Sequence, residues 1–184
     1  MAKPEKIVVL DFGGQYNQLI ARRVRESGVY CEILNYAVPI EQWRDESLRG
    51  IILTGGPNSV YAEGAPRMKE EILHLGVPVL GICYGMQLIN DLCGGRVESA
   101  EVREYGHTML CVTDSALFKG VQPETAVFMN HGDRVSALPK GFTADASTAN
   151  CPIAAFSDVA RGLYGVQFHP EVRHSVEGTT MLRN

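Results

Sequence analysis

The chain has 184 residues, of which 45% are apolar and 21% charged, a composition typical of one globular domain with its own core. Its formal net charge of −4 provides no basic surface for nucleic acid, and no apolar run approaches the length of a membrane span. The N-terminus lacks the pattern of a secretory signal. We therefore expect a cytoplasmic protein that binds neither nucleic acid nor membranes.

The five cysteines are an odd number and lack the spacing of a metal site, so no metal is expected. Four of them are predicted to be small buried residues of the core, namely Cys31, Cys93, Cys111 and Cys151. This cysteine usage fits a reducing compartment, in agreement with a cytoplasmic location.

The first half of the chain alternates between apolar runs and segments of helical periodicity. The apolar runs predict strands over residues 6–10, 31–34, 51–54 and 79–82. The periodic segments predict helices over residues 15–26, 66–75 and 86–92. This alternation predicts an α/β fold of the doubly wound, flavodoxin-like kind, with a mostly parallel central sheet and helices on both faces.

The second half of the chain consists of shorter, more strand-like pieces. Strands are predicted over residues 108–112, 126–129, 153–156 and 163–168, and the last six residues have a helical pattern. We interpret these strands as an antiparallel extension of the same sheet. Neither a repeat nor a linker interrupts the sequence, so residues 1–184 are treated as one domain.

A short motif, Gly81-Ile82-Cys83-Tyr84-Gly85, lies between a predicted strand and a predicted helix. Glycines two residues before and two after the cysteine permit a sharp turn that lifts its side chain out of the sheet. The positive end of the following helix favours a thiolate at this position. We therefore predict that Cys83 is a nucleophile rather than a buried structural thiol.

A base and a carboxylate for that nucleophile are present in His169-Pro170-Glu171. Residues two apart on an extended chain point the same way, and Pro170 restricts His169 to extended backbone. We predict that His169 takes the thiol proton while Glu171 orients its ring. His131 is a competing base, ranked lower because a flexible glycine separates it from Asp133.

Two backbone N–H groups are candidate donors to a developing oxyanion. Gly56 follows the predicted strand over 51–54, and Tyr84 follows the nucleophile directly. Because the ends of neighbouring parallel strands share one crevice, both N–H groups are expected near the reacting carbonyl.

Candidate substrate-binding residues lie one helical turn after the nucleophile and at the end of another apolar strand. Gln87 is four residues after Cys83, on the same helix face. The polar segment after the predicted strand over 126–129 has a glycine that suits close ligand contact, and its candidates are Asn130, Gly132 and Asp133.

The residues 81–87, together with Thr54-Gly55-Gly56-Pro57 and His169-Pro170-Glu171, resemble the class I (triad) glutamine amidotransferases over almost the whole chain. The resemblance implies that Cys83 attacks the side-chain amide of L-glutamine and forms a glutamyl thioester, with His169 and Glu171 completing the triad. It also implies an oxyanion hole and a site for the carboxylate and ammonium of the amino acid. The residues implied for the oxyanion hole are Gly56 and Tyr84. Those implied for the amino-acid site are Gln87, Asn130, Gly132 and Asp133.

Within this family the sequence is most similar to the branch whose ammonia serves the amination of XMP. The segment 11–16, the elbow residues Tyr84 and Met86, and the segment 131–133 carry this similarity, although Gly14 stands where a serine is expected. The ATP-pyrophosphatase domain that aminates XMP is absent from this chain, and ATP and Mg²⁺ belong to it. No cofactor is therefore expected here, and that synthetase, as a domain or a separate chain, is the expected partner.

The partner is also expected to control the reaction, because a glutaminase that releases ammonia without an acceptor wastes glutamine. The predicted route is the Gly55-Gly56-Pro57 loop, whose glycines change conformation easily and could complete the oxyanion hole on docking. Polar residues near the site mouth are predicted to contact the partner, namely His131, Asp133, Arg134, His174 and Glu177.

Three alternatives remain open. The chain could be an amidotransferase component of another pathway, of the anthranilate or carbamoyl-phosphate type, or a γ-glutamyl hydrolase that needs no partner. It could also be a non-catalytic regulatory module of the same fold, although the intact Cys83, His169 and Glu171 argue against this. A glutaminase assay separates an enzyme from a binding module, and reconstitution with the XMP-aminating domain separates the pathways.

Overall fold

The computed structural model describes residues 4–184 and contains one mixed sheet with helices on both faces. Its strands are β1 (Lys6–Asp11), β2 (Tyr30–Asn35), β3 (Leu48–Leu53), β4 (Val79–Ile82), β5 (Arg96–Val112), β6 (Glu124–Ala137), β7 (Thr143–Ser147), β8 (Ala155–Asp158) and β9 (Leu163–Val166). Its α-helices are α1 (Asn17–Glu26), α2 (Tyr84–Leu92) and α3 (Gly178–Arg183). Short 3₁₀ turns cover Ile40–Gln42, Glu70–His74 and Ala116–Phe118.

The sheet has two halves that meet at β9. The strand order is β2-β1-β3-β4-β9-β8-β7-β5-β6. The pairings from β2 to β9 are parallel, and those from β9 to β6 are antiparallel. The predicted α/β sheet with an antiparallel extension is thus confirmed, but the extension is larger than expected and supplies half of the strand pairings.

Alternate residues of each parallel strand feed two separate cores. In β1, Val8 and Leu10 pack in the core that contains α2, while Val9 packs in the core that contains α1 and α3. Because successive residues of a strand point to opposite faces, α2 covers one face of the sheet and α1 and α3 cover the other. The prediction of helices on both faces is confirmed.

The α-helix predicted over 66–75 is wrong, since only the 3₁₀ turn Glu70–His74 forms there. The carbonyl of Pro66, which would accept the first helical hydrogen bond, accepts one from the Tyr84 hydroxyl instead. Arg67 is held by the carbonyl of Val60 and by a 2.7 Å ion pair with Asp91. These tertiary contacts keep the start of the segment out of the helix that its periodicity favours.

The antiparallel half also departs from the sequence-based expectation. Strands β5 and β6 run over 17 and 14 residues, far beyond the predicted segments 108–112 and 126–129. Their long mutual register explains this, because cross-strand pairing extends strands through polar stretches that have no apolar run. Strand β7 has no counterpart among the predicted strands, since its small and polar residues lack β-branched or aromatic character beyond Thr143.

The cysteines are free thiols, but two are less buried than predicted. Cys31 and Cys151 are buried as expected, whereas Cys93 is half-buried and Cys111 is exposed. Cys111 lies on β5, whose outward-facing residues reach solvent, so its place in an apolar run gives a misleading signal.

Candidate active site

Cys83 occupies a strained turn between β4 and α2. Its backbone has φ 54° and ψ −107°, and it is the sole non-glycine residue with positive φ among residues 4–184. A Cβ on Gly81 would lie 2.4 Å from the carbonyl carbon of Gly85, and a Cβ on Gly85 would lie 2.4 Å from the backbone oxygen of Leu53. Both flanking glycines are therefore required sterically, as the predicted elbow demands, and strain of this kind clusters at functional sites.

His169 and Glu171 form a buried pair beside the cysteine. The Nδ1 atom of His169 lies 2.7 Å from Oε1 of Glu171, and Nδ1 therefore carries the proton that the carboxylate accepts. The side chains are 7% and 0% exposed, respectively. The side chain of Cys83 also interacts with this imidazole. His169 thus interacts with both of the other predicted triad residues.

The electrostatics of this cluster favour a charged imidazole. Burial by itself lowers the pKa of His169, but the hydrogen bonds with Cys83 and Glu171 outweigh burial and raise the pKa to about 10, from an ordinary value of 6.5. At neutral pH the ring is therefore an imidazolium.

The backbone around His169 is fixed on several sides. Its N–H donates to the carbonyl of Phe128 on β6, and its carbonyl accepts a 2.6 Å hydrogen bond from the Ser175 hydroxyl. The backbone carbonyl of Glu171 accepts from Nε of Arg23 on α1, at 3.1 Å. The ring of Tyr16 packs edge-on against the imidazole, with 5.2 Å between ring centroids. The histidine therefore has little freedom to turn away from the sulfur.

The two candidate oxyanion donors lie at the same edge of the sheet. The N–H groups of Gly56 and Tyr84 donate no hydrogen bond to any part of the chain that the structure describes. A Cβ on the preceding Gly55 would lie 3.7 Å from Cβ of Cys83 and 3.3 Å from Cε1 of His169. The glycine loop therefore passes directly beside the triad, where free N–H groups can meet an oxyanion.

The glycine loop packs closely against neighbouring backbone. A Cβ on Gly56 would lie 2.6 Å from the carbonyl oxygen of Phe12, and a Cβ on Gly14 would lie 2.5 Å from that of Gly55. Neither Gly55 nor Gly56 has positive φ. These glycines permit two backbones to pack closely, and Gly14 belongs to the same crowded contact.

A cleft of about 450 Å³ opens above the triad, at the carboxyl ends of the parallel strands. All of the predicted site residues except Glu171 line it: Gly56, Cys83, Tyr84, Gln87, Asn130, Gly132, Asp133 and His169. Glu171 lies behind His169, out of reach of a ligand. The segment 130–133 lies within β6 rather than after a strand as expected, and it still reaches the cleft.

Groups of opposite charge line the cleft. The carboxylate of Asp133 accepts hydrogen bonds from the hydroxyls of Ser59 and Tyr61. Arg103, which the sequence interpretation missed, lines the cleft beside Gly132 and has no ion-pair partner within residues 4–184. One anion and one cation match the zwitterionic end of an amino acid.

His131 does not reach the sulfur, although it lies near the cleft. Its Nδ1 is 2.8 Å from the carbonyl oxygen of Asp133, and its Nε2 is 2.9 Å from Oε2 of Glu104. The imidazole is 1% exposed. Both ring nitrogens are therefore occupied, which excludes His131 as the base and as a contact for a partner. The carboxylate that pairs with His131 belongs to Glu104 on the neighbouring strand β5, a partner that sequence spacing does not reveal.

A buried cluster of Glu104, His131 and Cys151 brings potential metal ligands within 4.8 Å of one another. Each member already has a protein partner: Thr148 donates to Glu104 at 2.7 Å, and the Cys151 thiol donates to the carbonyl of Ile153. Burial, and then the charge of Glu104, raise the pKa of Cys151 to about 12, which disfavours the thiolate that a metal requires. The cluster is best described as a hydrogen-bonded network.

Gln87 is buried rather than solvent-facing. Its Nε2 donates to the carbonyl of Asp133 at 2.9 Å and to Oε1 of Gln167 at 3.0 Å. Gln167, also missed by the sequence interpretation, contacts the sulfur of Cys83. Its position two residues before His169 on an extended chain is the signal that could have revealed it.

The chain belongs to the class I glutamine amidotransferase family. The family model described as glutamine amidotransferase class-I matches residues 8–184. A glutamine-hydrolyzing GMP synthase from Caldanaerobacter subterraneus is 53% identical over 183 residues, which are 99% of this chain and 36% of that protein. One from Lactococcus lactis is 56% identical over 181 residues, 98% of this chain and 35% of that protein. This chain therefore spans about a third of the length of these curated relatives.

Solved structures agree with the fold. The crystal structure of a candidate GMP synthase component from Thermoplasma acidophilum matches with a TM-score of 0.84 and 33% identity, covering 100% of this chain and 92% of that chain. A glutamine amidotransferase from Thermotoga maritima matches with a TM-score of 0.75 and 22% identity, covering 93% and 78% of the two chains. None of the described helices combines the length and hydropathy needed to cross a membrane.

Proposed function

We propose that this chain hydrolyses the side-chain amide of L-glutamine and supplies the ammonia to a synthetase domain that converts XMP to GMP. The observation that carries the proposal is the Cys83 elbow in contact with the buried His169–Glu171 pair, at the floor of a cleft. The names of the curated relatives and of the Thermoplasma structure support the choice of GMP synthesis.

In this mechanism the Cys83 thiolate attacks the amide carbon of glutamine, and the resulting oxyanion accepts hydrogen bonds from the N–H groups of Gly56 and Tyr84. The His169 imidazolium gives its proton to the amide nitrogen, which leaves as ammonia, and a glutamyl thioester remains. Neutral His169 then takes a proton from water, whose oxygen attacks the thioester carbon. Cleavage of the C–S bond releases glutamate and restores the thiolate–imidazolium pair.

The charges of the cleft support a free amino acid as substrate. Asp133 is placed to receive the ammonium group, and Arg103 the carboxylate, while the side-chain amide of Asn130 in the same cleft is available for a further hydrogen bond. Every group that the hydrolysis needs comes from the chain itself, so the proposal requires no cofactor here. ATP and Mg²⁺ would act in the synthetase domain.

Glutamine hydrolysis by the Cys83→Ala variant tests the proposal directly. We expect the variant to lose glutaminase activity and still to support ammonia-dependent GMP formation by the partner, since that chemistry lies elsewhere. A glutamine-analogue electrophile should label Cys83 and spare the other four thiols. Glutaminase activity that survives in Cys83→Ala would refute the assignment, and GMP formation that never depends on this chain would point to another pathway.

A further inference from the structure

Gln167 contacts the proposed nucleophile from within the protein. It follows β9 directly, its side chain is fully buried, and its Nε2 atom lies 3.6 Å from the sulfur of Cys83. A distance of this size is a normal N–H···S hydrogen bond, because sulfur is a large acceptor. The amide therefore touches a reacting atom, and the mechanism above does not use it.

The direction in which this amide points follows from its partners. The backbone carbonyl of Asp133 can only accept, so the atom of Gln87 that faces it must be the nitrogen. The same nitrogen is 3.0 Å from Gln167, and the atom it meets there must be the oxygen. The nitrogen of Gln167 is then the atom that faces the sulfur. One backbone group thus fixes the orientation of both amides.

The hydrogen-bonding chain continues beyond Gln87. The carbonyl of Asp133 also lies 2.8 Å from Nδ1 of His131, whose other nitrogen meets Glu104. Gln167, Gln87 and Glu104 are all buried, with exposures of 0%, 3% and 5%. Buried polar networks whose members are satisfied are rigid, so Gln167 is held where a lone glutamine would rotate.

We infer that Gln167 stabilises the Cys83 thiolate by donating a side-chain N–H to the sulfur, and that Gln87 holds it in that orientation. The inference deepens the proposed function, on whose nucleophile it rests. An N–H that points at sulfur favours the negatively charged form, because a charged acceptor makes the stronger hydrogen bond. The sulfur also lies 3.7 Å from the carbonyl oxygen of Asn130, which favours the protonated thiol. The N–H of Gln167 offsets this preference for the protonated thiol.

Alkylation of Cys83 by iodoacetamide across pH, followed by peptide mass spectrometry, tests the inference without glutamine. The variant Gln167→Leu removes the donor at similar volume, and Gln42→Leu is the matched control at an exposed position. We expect the pH midpoint of Cys83 alkylation to rise by about one unit in Gln167→Leu, or about 1.4 kcal/mol. We expect no change in the control. Loss of packing alone would lower the melting temperature and leave the midpoint in place.

Gln87→Leu provides a second, independent variant, since it leaves Gln167 present but unfixed. We expect a smaller rise in the same direction. A folded Gln167→Leu protein with the wild-type midpoint overturns the inference. If Gln167→Leu does not fold, an unchanged midpoint in Gln87→Leu overturns it instead. If Gln167→Leu shifts the midpoint but the unmodified chain hydrolyses no glutamine, the role of Gln167 is upheld and the proposed function is rejected. The two failures are therefore distinguishable.

Discussion

His169 is charged in the resting protein because two hydrogen-bond partners outweigh its burial. The folded-state pKa of about 10 exceeds the ordinary value of 6.5. This group therefore contributes stability that is fully present below pH 6.5 and is lost as the pH rises towards 10. In the proposed mechanism, a ring that starts charged acts first as an acid towards the leaving nitrogen and afterwards as a base towards water.

The charge of His169 can be measured by NMR titration of its ring. We expect the imidazolium signal to persist through about pH 8 and to disappear near the pKa of about 10. Cys83→Ala and Glu171→Gln each remove a partner that stabilises the charged ring, so both should lower this pKa. A ring that titrates near 6.5 in the unmodified protein would contradict the ion-pair description.

Arg103 allows a test of how the cleft binds substrate. Removing a cation that pairs with a carboxylate weakens ground-state and transition-state binding alike, so KM should rise while kcat changes little. For Arg103→Met we expect KM for glutamine to rise by roughly 10-fold or more, the size of a charge-assisted hydrogen bond. The exposed Arg44, which precedes β3 and lies outside the cleft, provides the control variant Arg44→Met. An unchanged KM in Arg103→Met would show that Arg103 does not bind the substrate.

At the residue scale, sequence reasoning identifies the groups that lie on one continuous motif. His169 and Glu171 are recognisable because one residue separates them on extended backbone, and Cys83 because glycines surround it. Glu104 and Arg103 are not recognisable, since they reach the site from another strand. Their relation to it depends on the register of β5 against β6, which aligns Glu104 with His131.

At the element scale, one buried side chain connects three stretches of the antiparallel half of the sheet. Glu104 on β5 connects His131 on β6 with Thr148, which directly follows β7. The carboxylate is buried, so its partners have no access to water as a substitute. Three neighbouring stretches of chain therefore depend on one side chain.

Replacing Glu104 should destabilise the fold more than an ordinary surface change. Removing one partner of a buried hydrogen bond leaves the other unsatisfied at a cost of about 1–3 kcal/mol, so Glu104→Leu should lower the free energy of unfolding by at least that order. Glu101→Leu, at an exposed position of the same strand, should change it by less than about 0.5 kcal/mol. Urea denaturation measures both. Equal stability of the two variants would show that the network does not stabilise the fold.

Element prediction succeeds where local pattern and tertiary contacts agree. The strands β1 and β4 are found within one residue because buried parallel strands carry continuous apolar runs. The segment 66–75 fails because Tyr84, far away in sequence, takes the carbonyl that a helix needs. No local pattern contains that information.

At the scale of the whole molecule, we expect the rate of the proposed glutamine hydrolysis to depend on the proposed synthetase partner. In this structure the glycine loop packs against the Phe12 carbonyl, and His131 is buried. Coupling through that loop would require the segments around Phe12 and Gly56 to move together. We still expect this chain alone to hydrolyse glutamine slowly.

Steady-state glutaminase rates with and without a synthetase domain loaded with ATP and XMP measure this coupling. Adding one missing oxyanion donor would raise kcat by roughly 10²–10³-fold, and we expect an acceleration of this size. Addition of the unloaded domain is the control for mere association. Equal and fast rates under all three conditions would reject coupling and favour a hydrolase that works without a partner.

The close backbone packing at Gly56 limits what mutagenesis can reveal about this protein. The proposed oxyanion donors are main-chain N–H groups, so a scan of side chains to alanine leaves their chemistry untouched. Gly56→Ala would still inactivate the protein, because its methyl group would lie 2.6 Å from the Phe12 oxygen. Such a result would be read as catalytic importance although it reports crowding alone. Replacing the amide before Tyr84 with an ester, by chemical synthesis, deletes one donor hydrogen while every side chain stays in place.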